Sequence, residues 1–325
     1  MTPANYIIDS LNTLKTTDAS LREDETIEDA IYRLLMSKKF RKYSAQPHLI
    51  EHIKNAIKIN VEKQEPINAT FLHGAYKLWR LEESPSADWA ELFAAMYYTN
   101  WLAPICSIYK PGVWFDYFVD DLIIPKLNNI PLEDVTAYRK SFQAVLDFLK
   151  PYQPDNMRMT ITGVGDQFDS SESFDEKLAN DVQKYAQQFP SGLPEVTESR
   201  SIMINLNRKP SETDQNNPDW KAKNVLMHDA YIKLTKFETG YHLQPNKILT
   251  FNQSIPGLAL GLGTTKTSIA KFWAGVGTLK KDADSYRQYI LSPKQIETNK
   301  ITTEQIAITG LTGKNFTSIR IIDSE

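Results

Sequence analysis

The chain of 325 residues contains a single cysteine, Cys106. That count excludes a disulfide framework and a thiolate metal cluster, and it makes a reducing compartment the expected setting. Charge of one sign is also lacking. Against 40 Asp and Glu stand 37 Lys and Arg, a formal net charge of −3. So slight an imbalance creates no strong field toward nucleic acid or anionic lipid, and neither is an expected partner. No apolar run approaches the roughly 20 residues of a membrane-spanning helix. The opening "MTPANYIIDSLNTLK" has no basic segment followed by an apolar one, so no secretory signal is expected and the cytoplasm is the predicted location. What is present is ordinary: 41% hydrophobic and 24% charged residues, enough apolar material for a sizeable core.

Several stretches carry clear secondary-structure signals. "TIEDAIYRLLMSKKF" predicts a helix capped by Thr26, with Ile27, Ile31, Leu34 and Leu35 on one face. Lys38, Lys39, Arg41 and Lys42 after it read as solvated charge near a helix C-terminus. "PHLIEHIKNAIKINVEKQ" is a second amphipathic helix. His48 and His52 on it have i, i+4 spacing but no third ligand of matching spacing, so they read as a polar face, not a metal pair. A strand is expected from Ile67 to Leu72, breaking at Gly74. Asp88 and Glu91 have capping-box spacing ahead of the aromatic-rich helix "WAELFAAMYYTNWL". "VWFDYFV" suits a buried strand, and Pro131 suits the first position of another helix. "MRMTITGVG" and "RSIMINL" read as strands, with the helix "SFDEKLANDVQKYAQQF" between them.

The most polar segment, about residues 207–219, is expected to be a surface loop and a candidate lid. A helix from Asp219 to about Lys236 and the strand-like "KILTF", "LALGL" and "YRQYIL" follow it. Alternating strands and helices predict an α/β fold, a mixed and mostly parallel Rossmann-like sheet with helices on both faces. Residues 1–45 are expected to form a helical segment capping an α/β domain of residues 46–325.

"GLGTTKTSIAKFWAGVG", from Gly261 to Gly277, has the ingredients of a phosphate cradle. A P-loop needs glycine immediately before the lysine and again five residues before that. The sequence has Thr265 and Leu260 there, and Lys266 occupies the third glycine of a dinucleotide pattern. The nucleotide reading is therefore rejected. A strand followed by a turn is expected instead. Its glycines either relieve close packing or let backbone approach a ligand.

In "YKPGVWFDYFVDDLIIPKLNN" the strand ends in Asp120 and Asp121, and sheets of this class bind ligands beyond the carboxyl ends of their strands. Capping or solvated aspartates are the plain alternative. The order of segments from about His48 to Glu297 resembles the isocyanide (isonitrile) synthases. "EPINATFLHGAYKLW" is similar to that family's strand-then-lysine segment and places Lys77 on its lysine. "WAELFAAMYYTNWLAPICSIYKPGVWFDYFVDDLIIPKLNNIPLEDVTAYRKSF" resembles its helix, turn and acid-ended strand, placing Asp120 and Tyr138 on family positions. "AKFWAGVGTL" places Trp273 on the tryptophan of a proline-tryptophan-histidine-glycine turn. The departures are Phe272 for that proline, Ala274 for that histidine, and Asn252 or Gln253 where a strand histidine is expected.

The resemblance implies an enzyme that condenses an amino acid's α-amine with the ketone of a pentulose phosphate of the ribulose 5-phosphate type. Its partners would be those small molecules, with no metal and no further cofactor; a homodimer is compatible with it. Lys77 and Lys271 are the phosphate-clamp candidates, with Arg139 and Arg158 behind them. Asp120 is the candidate base, because a carboxylate beside buried aromatic surface is protonated to higher pH. Tyr138 is the candidate proton donor. Trp114, Trp273 and Phe272 would wall the substrate. His228, in "LMHDAYIKL" after the polar loop, is a third catalytic candidate. Two other readings stay open: a non-catalytic small-molecule-binding accessory protein, and a metal-dependent nucleotide-sugar glycosyltransferase built on Asp120 and Asp121.

Overall fold

The computed structural model of the chain describes residues 1–16, 18–40, 47–73, 85–128, 130–167, 171–188, 190–191, 226–227, 230, 244–250, 253–255, 258–260 and 268–323. Helix α1 (Pro3–Asn12) and helix α2 (Ile27–Leu35) open the chain. The Thr26 hydroxyl accepts the Asp29 amide at 3.1 Å and fixes the start of α2 as its sequence predicts. Helix α3 (Pro47–Glu62) leads into strand β1 (Ile67–His73), whose seven residues are all buried. Helix α4 (Trp89–Ile108), strand β2 (Val113–Val119) and the short helix α5 (Ile123–Asn128) follow. Helix α6 (Leu132–Leu149) then leads to strand β3 (Met157–Gly163), helix α7 (Ser171–Gln188) and strand β4 (Lys247–Leu249).

β1 to β4 form one parallel sheet in the order β3-β2-β1-β4. The fold is thus the expected α/β class, a parallel sheet flanked by helices. Successive strand residues point to opposite faces. The in-register pairs Ile67↔Val113 to His73↔Val119 therefore align Phe71, His73, Phe115 and Tyr117 on one side, called here the front. Helices α4 and α6 cover the front: Tyr98 stacks on Phe115 at 4.5 Å between centroids, and Phe142 meets Tyr117 at 4.8 Å.

"LALGL" does not join this sheet. Its first three residues form β6 (Leu258–Leu260), antiparallel to β5 (Gln253–Ile255). Within "GLGTTKTSIAKFWAGVG", residues 261–267 lie outside the described residues. Ser268–Ala274 is a 3-10 helix where a strand and turn are expected, and β7 (Val276–Asp282) begins right after it. β8 (Ser285–Leu291), helix α8 (Pro293–Thr298), β9 (Ile301–Gln305) and β10 (Ser318–Ile322) complete the chain. β7 to β10 make a second sheet, ordered β8-β7-β10-β9, with only β7 and β10 parallel.

α4 lies between the two sheets. A helix covered on every side cannot be amphipathic, and its residues from Trp89 to Met96 are all buried. Its N-terminus is the junction of the molecule. Asp88 Oδ1 accepts the Ala90 amide at 2.6 Å and the Gly277 amide of β7 at 3.1 Å. Glu91 Oε2 accepts the Asp88 amide at 2.8 Å, which completes the capping box. Pro131 differs slightly from expectation: it is the residue before α6, with an extended ψ of 137°, and not its first helical residue.

The last glycine of the stretch, Gly277, is explained by this junction. A Cβ on Gly277 would stand 2.3 Å from the Ala90 nitrogen and the Trp89 carbonyl carbon. Glycine is needed because a strand touches a helix end, not because a phosphate passes. Gly277→Ala should lower the unfolding free energy by about 1–3 kcal/mol, the usual penalty for overpacking. Denaturant titration checks this, and an unchanged midpoint would refute the close contact.

Candidate functional site

The carboxyl ends of β1, β2 and β3 bring His73, Asp120, Asp121 and Gly163 to one edge of the sheet. His73 is the last residue of β1, and its carbonyl accepts the Asp120 amide at 3.1 Å. Only 3% of His73 is exposed. Its imidazole sits in an aromatic cage, with centroids 5.1 Å from Phe272, 6.2 Å from Phe142 and 6.4 Å from both Tyr117 and Tyr138. Phe272 and Trp273 come from the 3-10 helix, and Trp273, half-buried, meets Phe71 at 5.3 Å. The cage thus joins an end-of-strand imidazole to the segment that holds the tryptophan.

Asp120 is half-buried at this edge. Its neighbour has turned inward. Asp121 Oδ2 receives Arg139 Nη1 at 2.6 Å, and Oδ1 receives the Gly165 amide at 3.1 Å. Arg139 also donates to Asp166 at 2.5 Å, and Asp166 accepts the Gly163 amide at 2.8 Å. A Cβ on Gly163 would lie 2.0 Å from Asp121 Oδ2, so glycine there makes room for the buried carboxylate. Burial raises the Asp121 pKa while Arg139 opposes the rise. The two aspartates are therefore not a paired set of outward acids, which corrects the expectation behind the glycosyltransferase reading. Arg139, read as a substrate clamp, instead fastens the turn after β3. Among the described residues no group of three or more His, Cys, Asp or Glu is arranged to hold a metal ion.

Tyr138 is fully buried, and its hydroxyl donates to Glu91 Oε1 at 2.9 Å. Burial first, and then the Glu91 carboxylate, push its pKa well above the ordinary tyrosine value. In this state it supports the capping box of α4. Tyr117, in the same cage, is also fully buried, and its hydroxyl has no hydrogen-bond partner among the described residues. Trp114 does not share a wall with Trp273. It points to the back of the sheet, where its indole N–H donates to Thr160 at 2.8 Å and Arg158 stacks on its ring at 5.1 Å. Strand alternation, which puts residues 114 and 117 on opposite faces, separates the two tryptophans. Lys77 and His228 lie outside the described residues, as does most of the polar loop. Lys271 is part of the 3-10 helix, but its side chain lies outside them too.

Sequence reasoning missed His73 because the strand was expected to end at Leu72. A lone imidazole just before the glycine that closes an apolar strand was the available signal. Glu91 was recognised only as a cap, since a contact with Tyr138 across 47 residues leaves no local trace.

These features define an α/β protein whose strand ends meet at a lined, partly polar edge. No protein-family model matches the chain, and no curated protein matches it. Among solved structures it is similar to the crystal structure of the PvcA protein from Pseudomonas aeruginosa. The TM-score is 0.57 over 91% of this chain and 100% of that one, at 14% identity. Likeness at that identity concerns the fold. No helix among the described residues is long and apolar enough to cross a membrane.

The Asp121–Arg139 contact generates a test with a defined sign. Arg139→Leu leaves the Asp121 carboxylate buried without its counter-charge. A fully buried pair would lose about 3–5 kcal/mol, and about 2 kcal/mol is expected because Arg139 is partly exposed. The folded-state pKa of Asp121, already raised, should rise further in the variant. Its proton is then held more tightly in the folded than in the unfolded chain, where aspartate titrates near ~3.9. The stability deficit should therefore be full at neutral pH and shrink as pH falls toward about 4. Denaturation at the two pH values checks it, and a deficit independent of pH would contradict the assignment.

Proposed function

We propose that this chain is an isonitrile-synthase-like enzyme, joining the α-amine of an amino acid to the ketone of a pentulose phosphate. The observation that carries the reading is the meeting of His73, Asp120 and the Phe272–Trp273 segment at the carboxyl edge of the sheet. Asp120 and Trp273 are positions on which the sequence resembles that family, and the fold likeness to PvcA runs over nearly the whole chain.

The chain's departures from the family are in proton-transfer groups, chiefly Ala274 in place of a histidine. His73 supplies an imidazole in ring contact with Phe272, two residues before Ala274. In this reading His73 moves the protons that imine formation and the later eliminations require. Asp120 acts as the second base, and the aromatic cage keeps water from the intermediate. Trp273 flanks the amino acid side chain. Lys77 and Lys271 remain the proposed phosphate contacts.

The test is to incubate the protein with tyrosine or tryptophan and ribulose 5-phosphate, trap isonitrile with a tetrazine and detect it by mass spectrometry. Product should form, and His73→Phe, which preserves the aromatic packing, should lower the rate by about 10²–10⁴-fold. No product from any proteinogenic amino acid would favour the accessory-protein reading. A His73→Phe variant as fast as the parent would remove His73 from the chemistry.

A further inference from the structure

The second sheet ends differently on its two sides. On one side α1 covers β8: the Tyr6 hydroxyl bonds the Gln288 backbone, and its ring meets Tyr286 at 5.9 Å. On the other side β9 pairs only with β10 among the described residues, and Thr302 to Gln305 are exposed. The pairing runs unbroken from Ile301↔Ile322 to Gln305↔Ser318, so no bulge turns this edge away, and the strand contains no proline. Those are usual protections of a free edge. The Ile306 amide donates to the Thr317 carbonyl at 3.0 Å, one step beyond that register. Antiparallel ladders alternate, so Thr302 and Glu304 turn their backbone groups toward β10, while Ile301, Thr303 and Gln305 turn theirs outward. Side chains add a pattern of charge. Continuing the registers Ile322↔Lys280 and Ile322↔Ile301 one residue along β10 sets Lys281, Asp323 and Lys300 in one row. Lys281 Nζ lies 2.8 Å from Asp323 Oδ1, and the Lys300 charge also acts on that carboxylate. The row reads plus, minus, plus, and stops at the open edge. Glu304 lies on the same face of β9 as Lys300, because side chains alternate along a strand.

We propose that β9 is a dimerisation edge, where a second copy of this chain pairs its own β9 antiparallel about a two-fold axis through Thr302. In that register Lys300 faces the second copy's Glu304, and by symmetry Glu304 faces its Lys300. The row of charges then continues across the boundary with its sign still alternating. Ile301 and Thr303 of opposite copies join through their outward amides and carbonyls, and the two Thr302 side chains meet at the axis. Sliding the strands by two residues either way loses both ion pairs. Sliding by four sets Glu304 against Glu304 or Lys300 against Lys300, and like charges directly opposite are unfavourable. An odd shift sets outward backbone groups against inward ones. Charge and backbone direction therefore select one register, and that register is self-complementary, as a two-fold contact requires. Because α1 covers β8 at the far side of the sheet, pairing stops at two copies. The surface does not depend on the isonitrile reading.

Sedimentation of the intact chain over a range of concentrations tests the proposal. A five-residue edge buries less than a standard interface, so a reversible, concentration-dependent dimer of the 37.1 kDa chain is expected. Glu304→Lys puts like charges across the axis, and so does Lys300→Glu. Each variant alone should dimerise at least about tenfold more weakly than the parent. An equimolar mixture of the two restores opposite charges at both pairs and should associate about as tightly as the parent. Thr303→Pro removes an outward amide and should be monomeric, with a melting temperature close to the parent's. A parent that stays monomeric at about 1 mM chain would overturn the edge. So would a Glu304→Lys variant that dimerises like the parent, or a mixture that associates no more tightly than its components. Should Thr303→Pro fail to fold, the exposed charge variants still decide the matter.

Discussion

The carboxylate pair Asp88 and Glu91 at the start of α4 is the constraint on which the rest of the structure depends. An ordinary capping box satisfies helix amides and contributes about 1 kcal/mol. Here each carboxylate has a second duty. Asp88 reaches Gly277 of the second sheet, and Glu91 reaches Tyr138 of α6. Both carboxylates are buried, Glu91 completely, so leaving either without its partners would be costly. The box thus sets the position of a helix, a sheet and a second helix at once.

That position explains the front of the parallel sheet. With α4 and α6 held over it, Phe71, Tyr98, Phe115, Tyr117 and Phe142 meet stacked, edge to face or tilted, as aromatic rings favour. The 3-10 helix adds Phe272 to the same cluster, and Gly277 follows it into β7. The cage around His73 and the glycine contact at Asp88 are therefore two ends of one short segment. Scaffold and candidate site are coupled through residues 272–277, so movement at the α4 N-terminus would be felt at the imidazole.

The two faces of the sheet divide the chemistry. On the front, polar groups are few and enclosed by rings, which suits proton transfer away from water. On the back, lysine, aspartate, threonines and asparagine are set in register. β2 serves both faces in one heptapeptide, "VWFDYFV": Phe115 and Tyr117 look forward, Trp114 and Asp116 backward. Its high apolar content hides the fact that Asp116 is the anion of the back face.

Much of this was legible in the chain. Thr26, the Asp88–Glu91 pair, the apolar runs of β1 and β2 and the alternating pattern of β3 signal their elements locally, because caps and periodicity act within a few residues. The parallel α/β sheet follows from how those elements alternate. The inward turn of Asp121 could not be read, since its partner Arg139 is 18 residues away and Gly163 makes room from a neighbouring strand. Nor could the separation of Trp114 from Trp273, or the meeting of His73 with Phe272 across about 200 residues of chain. By itself the sequence determined the helices and strands from α1 to β3 and where the acids and rings lie along them, though not the 3-10 helix Ser268–Ala274. Only the tertiary structure decided which of those groups meet, because register and packing between distant segments set side-chain neighbours, and local propensity does not encode them.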